Sequence, residues 1–64
     1  MENKNPIMKY FAFEHLPEHL QVVSKPIGDL ARLMDQSLPN GPEKSVGLRK
    51  LLEAKDSFVR SKLG

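Results

Sequence analysis

The chain reads as all-α: a short N-terminal arm or helix followed by a long antiparallel helical hairpin, assembled into a symmetric homo-oligomer. Three observations predict this. Apolar residues recur in steps of three and four from Leu20 to Leu38 and again from Leu48 to Leu63, the spacing of one helical face. Dense turn chemistry, Leu38-Pro39-Asn40-Gly41-Pro42, separates the two runs. The one segment with strand-like alternation, residues 8–14, has no second strand to pair with.

Residues 1–7 are polar, contain Pro6 and read as a flexible tail. Residues 8–14 hold three of the four aromatics, Tyr10, Phe11 and Phe13. That segment is too short for a stable isolated helix, so an extended arm or one helical turn is expected. Pro17 suits a first helical turn, and Glu18 complements the positive end of the helix. Leu20, Val23, Ile27, Leu30, Ala31, Met34 and Leu38 then form one apolar stripe. Pro26 leaves two readings. One helix runs from about 17 to 38 with a kink, or a short helix ends near Ser24, which caps a second. Both readings put Lys25 beside a backbone break. Asn40 or Gly41 can cap the last helix, with Pro42 in its first turn and Glu43 at the capping-box carboxylate position. That helix, from about 42 to 62, carries two apolar rows: Leu51, Ala54 and Phe58; and Leu48, Leu52 and Val59. One partner helix cannot cover both.

Length gives the same answer. A single domain of 64 residues buries only about 60% of its unfolded surface. Small chains compensate with disulfides, a structural metal or oligomerisation. There is no Cys and there are only two His, so self-association is the expected remedy. The net charge of +2 is too weak to argue for duplex nucleic acid, yet it suits a small anion held at a few basic points. No apolar run approaches a membrane span. The opening Met-Glu-Asn-Lys-Asn-Pro lacks the apolar core of a signal peptide, which fits a cytoplasmic protein.

Nothing in the sequence asks for catalysis. His15-Leu16-Pro17-Glu18-His19 has the spacing of an inverted zinc-protease motif. Pro17, however, puts His15 before the helix rather than on it, so the two imidazoles do not share one face. The serines lack a nucleophile's base and acid, and no phosphate-binding Gly loop is present. No catalytic residue, metal ligand or cofactor is therefore expected. Two binding candidates remain. Lys44 and Ser45 open the last helix, where an anion can sit, although a plain capped start explains them as well. Tyr10, Phe11 and Phe13, with Lys9 and Lys25, can stack on a base and hold a phosphate. The competing reading is a hydrophobic latch on the helical pair, which the usual burial of aromatics favours. Arg49, Lys50, Lys55, Arg60 and Lys62 read as solvated-face charges, with Asp56 and Arg60 paired four apart.

The segments Leu16-Pro17-Glu18-His19-Leu20-Gln21, Ser24-Lys25-Pro26-Ile27, Asp29-Leu30-Ala31, Leu38-Pro39 and Gly41-Pro42-Glu43-Lys44-Ser45 carry a resemblance. With Leu48, Lys50, Leu51 and Glu53-Ala54-Lys55-Asp56, they make the chain similar to a family of tiny phage proteins. These are the sponge-type inhibitors of bacterial cyclic-oligonucleotide anti-phage signalling (CBASS). The resemblance covers nearly the whole chain after the tail. It implies a helical homo-oligomer, commonly a hexamer, in the cytoplasm of the infected bacterium. Such a protein binds cyclic dinucleotides between paired subunits and, at a separate site, cyclic trinucleotides, without cleaving either. By the same resemblance an N-terminal aromatic stacks on a base: Tyr10, with Phe11 and Phe13 competing. Lys25 contacts the ligand. A basic residue near the start of the last helix serves the second site: Lys44, with Arg49 behind it. Relatives often carry Arg where Lys44 stands, and lysine lacks the planar bidentate fork. The alternative function is a regulator that binds a protein partner through Phe58, Val59 and Leu63 as a helix-in-groove face.

Overall fold

The computed structural model describes residues 6–64. A 3-10 helix, Pro6–Phe11, leads into two α-helices, α1 (Glu18–Ser37) and α2 (Pro42–Leu63). The long helices are antiparallel, and the 3-10 arm contacts both. Residues 1–5 of the expected tail lie outside the described residues, whereas Pro6 and Ile7 belong to the 3-10 turns.

Both α-helix starts use backbone rather than side-chain caps. Pro17 is the N-cap of α1, with φ −56° and ψ 152°. Its carbonyl accepts from the Leu20 and Gln21 amides at 2.9 and 3.1 Å. Gln21 folds back to donate from Nε2 to the Leu16 carbonyl at 2.8 Å, tying the entry loop to the first turn. Gly41 is the N-cap of α2 and Pro42 its first residue, where a missing N–H costs nothing.

Pro26 lies inside α1 without ending it. Of the two sequence readings the continuous helix is the right one, so Lys25 sits in mid-helix and Ser24 is not a cap. Proline removes the donor that the Val22 carbonyl would have used. Val22 is exposed, so water can serve that carbonyl and the helix continues.

The fully enclosed apolar core is small: Phe11 from the arm, Ala31 from α1 and Leu48 from α2, one side chain from each element. Ile7, Met8, Ile27, Met34, Leu51 and Leu52 pack partly buried around it. The arm lies across Gly28 and Ala31, buried small residues of α1. Gly28 is required here, because an added Cβ would stand 2.9 Å from the Phe11 carbonyl oxygen. Many apolar side chains stay uncovered, among them Leu30 and Leu33 on α1, Leu38 at its C-cap, and Val46, Phe58 and Leu63 on α2.

Candidate functional site

The arm sorts its three aromatics into different environments. Phe11 is wholly enclosed in the core. Phe13 is buried against Gly28, its Cδ2 3.3 Å from where a Cβ would be. Lys25 Nζ and Arg32 Cζ lie over its ring, at 5.7 and 5.8 Å from the centroid. Tyr10 alone faces solvent, 56% exposed, with Lys9 Nζ 5.3 Å from its ring centroid. The latch reading therefore fits Phe11 and Phe13, and of these three rings Tyr10 is the one open to stacking.

Beside Tyr10 is a surface hollow of about 380 Å³, lined by Lys9, Tyr10, His15, Leu52, Lys55 and Asp56. Lys55 overturns its sequence reading as a solvated charge. It is only 8% exposed, and its Nζ donates to the Tyr10 carbonyl at 2.5 Å. This bond fixes the arm's backbone at the residue whose ring is presented to solvent. The signal was available in the spacing. Lys44, Leu48 and Lys55 form the buried stripe of α2, so Lys55 occupies an apolar-face position.

Lys25 does not line the Tyr10 hollow. It is exposed on α1 and paired with Asp29 Oδ2 at 3.0 Å. Arg32 holds the other oxygen of the same carboxylate at 2.6 Å. The Lys25 hydrogen bond, assisted by Arg32 and opposed by partial desolvation, holds the Asp29 carboxyl below its ordinary range. An incoming phosphate would compete with Asp29 for both cations.

The expected second site separates into two places. Lys44 is 8% exposed and points back at the C-terminus of α1. Its Nζ lies 2.9 Å from the Asp35 carbonyl, 3.2 Å from the Leu38 carbonyl and 3.0 Å from Asp35 Oδ1. The last turn of α1 contains no basic residue of its own, and Lys44 supplies the cation that the negative helix end favours. All three ammonium donors are thereby used, which leaves none for a ligand. Arg49 is exposed at another hollow, about 290 Å³, with Pro6, Ile7, Ser45 and Val46.

Among the described residues, no group of three or more His, Cys, Asp or Glu side chains could hold a metal ion. His15 lies in the turn before α1 and His19 in its first turn, as Pro17 dictates. Arg60, expected to pair with Asp56, donates to the Ser57 hydroxyl at 3.2 Å. No helix is long and apolar enough to cross a membrane among the described residues. The chain matches no family model, no curated protein and no solved structure.

Proposed function

We propose that this chain is a non-catalytic, oligomeric binding protein that sequesters cyclic dinucleotide second messengers and so blunts bacterial anti-phage signalling in the cytoplasm of the infected cell. The observation that carries this reading is the exposed Tyr10 ring, anchored through its own carbonyl and bordered by Lys9, His15 and Lys55. An aromatic face offers sequence-tolerant stacking to a base, and the surrounding nitrogens suit its phosphates. Sequestration needs affinity and copy number rather than reactive groups. Cyclic trinucleotides are the second ligand class, with Arg49 as the exposed cation for them.

Assembly is part of the proposal. The Lys25 of one chain lies outside the Tyr10 hollow of that chain, so uniting the two calls for a second copy. The uncovered Leu30, Leu33, Leu38, Phe58 and Leu63 supply apolar surface for such contacts, and a homohexamer is the expected form. A second reading, a regulator that binds a protein partner, uses Phe58, Val59 and Leu63 as a helix-in-groove face, with Phe58 and Leu63 exposed and Val59 half-buried.

Calorimetric titration with a panel of cyclic di- and trinucleotides tests the proposal. Ligand released on denaturation should be chromatographically unaltered, and sedimentation should report an oligomer. Absence of heat with every cyclic nucleotide would leave the protein-docking reading in its place. A linearised product would reveal an enzyme.

A further inference from the structure

A buried ammonium is stable only when its hydrogen-bonding capacity is met. Lys55 meets a third of it. Among the described residues its one partner is the Tyr10 carbonyl, and no carboxylate lies within salt-bridge distance of its Nζ. Asp56 lines the same hollow without closing on it. Lys44, equally buried on the same stripe, has three oxygens within 3.2 Å. The difference between the two is that Lys55 borders an open hollow with an exposed aromatic ring on its wall.

We propose that Lys55 is the anion-binding group of this hollow and that the site takes a nucleoside phosphate. The base lies on the Tyr10 ring, and a phosphate oxygen accepts from the two ammonium N–H groups that the Tyr10 carbonyl leaves over. Ring and carbonyl belong to one residue, so the stacking face and the ammonium are set apart by about one side chain. That is the scale of the ribose between a base and its 5′ phosphate. Lys9 and His15 stand on the rim as further donors. Asp56, the one carboxylate among the lining residues, is placed to accept from a sugar hydroxyl. Lys55 thus acts twice, pinning the backbone that presents the ring and binding the charge that accompanies the base. The inference rests on the nucleotide-sequestration reading and assigns it a residue that Lys25 does not replace.

The chain contains one Tyr and no Trp, so intrinsic fluorescence reports Tyr10 directly. Adenosine 5′-monophosphate should quench it saturably, and adenosine should bind about tenfold more weakly or worse, as loss of a charge-assisted hydrogen bond requires. Lys55→Met should lose about tenfold in monophosphate affinity, whereas Lys55→Arg, which keeps cation and donors, should stay within about threefold. Because Lys55→Met also cuts the arm's anchor, nitrogen NMR of the lysine ammonium groups in the unmodified protein is the second measurement. The Lys55 signal should move with the monophosphate and not with adenosine. An unmoved Lys55 signal, or a Lys55→Met variant that folds and binds cyclic dinucleotides as tightly as the parent, would overturn the assignment while leaving sequestration standing. Monophosphate binding through Lys55 without any cyclic-dinucleotide binding would sustain the site and remove the sequestration reading.

Discussion

Replacing Gly28 with alanine sets two effects of known sign against each other, and the structure says which is larger. Alanine in a helix interior is favoured over glycine by about 1 kcal/mol. At Gly28 the new Cβ would meet the Phe11 carbonyl oxygen at 2.9 Å and the Phe13 ring at 3.3 Å. The first of these is backbone, held by the 3-10 turns before it and by the grip of Lys55 on Tyr10, so the arm must lift. Overpacking of this kind costs about 1–3 kcal/mol. Gly47, inside α2, separates the two effects, because a Cβ there meets nothing within 4 Å. Gly47→Ala keeps the propensity gain alone, and the difference between the variants reads the clash alone. For a domain this small 1 kcal/mol moves the midpoint by about 4–8 °C. Gly28→Ala should therefore melt about 5–20 °C below Gly47→Ala by far-ultraviolet circular dichroism. Midpoints are taken over a dilution series and extrapolated to the dilute limit, since assembly raises them with concentration. Tyr10 fluorescence on the same samples should change only for Gly28→Ala. Coincident midpoints, or Gly28→Ala as the more stable protein, would mean that the arm does not rest on α1 at this glycine.

Ser24 is fully buried, and its hydroxyl has no partner among the described residues. Ser24→Ala should stabilise the chain by about 1 kcal/mol by removing an orphaned polar group, read as a raised urea midpoint at unchanged slope. Lys44→Met strips the C-terminus of α1 of its cation and of the ammonium that donates to two of its carbonyls, and should cost about 2–3 kcal/mol in the same assay; a neutral result would mean that the cap is dispensable. The carboxyl of Asp29 has a lowered folded pKa, so its pairs with Lys25 and Arg32 stabilise the fold above the ordinary carboxylate range. That contribution is lost as pH falls through the depressed value. Carbon NMR of the Asp29 carboxyl should show the low titration, and Asp29→Asn should abolish the dependence. The same variant frees Lys25 and should tighten cyclic-dinucleotide binding; weaker binding would show that Asp29 itself serves the ligand.

The hairpin was readable because its signals are local. Steps of three and four mark the faces, and Pro39 through Pro42 can only be a connection. Pro26 was ambiguous for a physical reason. Whether an interior proline breaks a helix depends on whether water reaches the carbonyl four residues earlier, and the exposure of Val22 is tertiary information. The arm divided likewise: an aromatic cluster predicts packing, but only the crossing at Gly28 decides that Phe11 and Phe13 go inward and Tyr10 outward. Lys55 was misread because a lysine among mixed charges looks solvated, and the burial of Lys44, read as an anion site at the helix start, was equally hidden. Both donate to backbone carbonyls, which leave no mark in a sequence. Lys55 grips one 45 positions away. Only their register with Leu48 hinted at burial.

That register also explains what α2 does. With three apolar side chains fully enclosed, the core is too small to orient three elements by apolar contact alone, because the hydrophobic effect is non-directional. Lys44 and Lys55 add direction, each carrying a charge from the inner stripe of α2 to the backbone of another element. Lys44 reaches the end of α1 and is exhausted there, three donors against three oxygens. Lys55 reaches the arm with one donor and, among the described residues, keeps two. An ammonium that is saturated within its own chain can only hold structure. One that is buried, positioned and unsaturated beside an exposed ring still needs an acceptor, and an anionic ligand is the acceptor the hollow has room for.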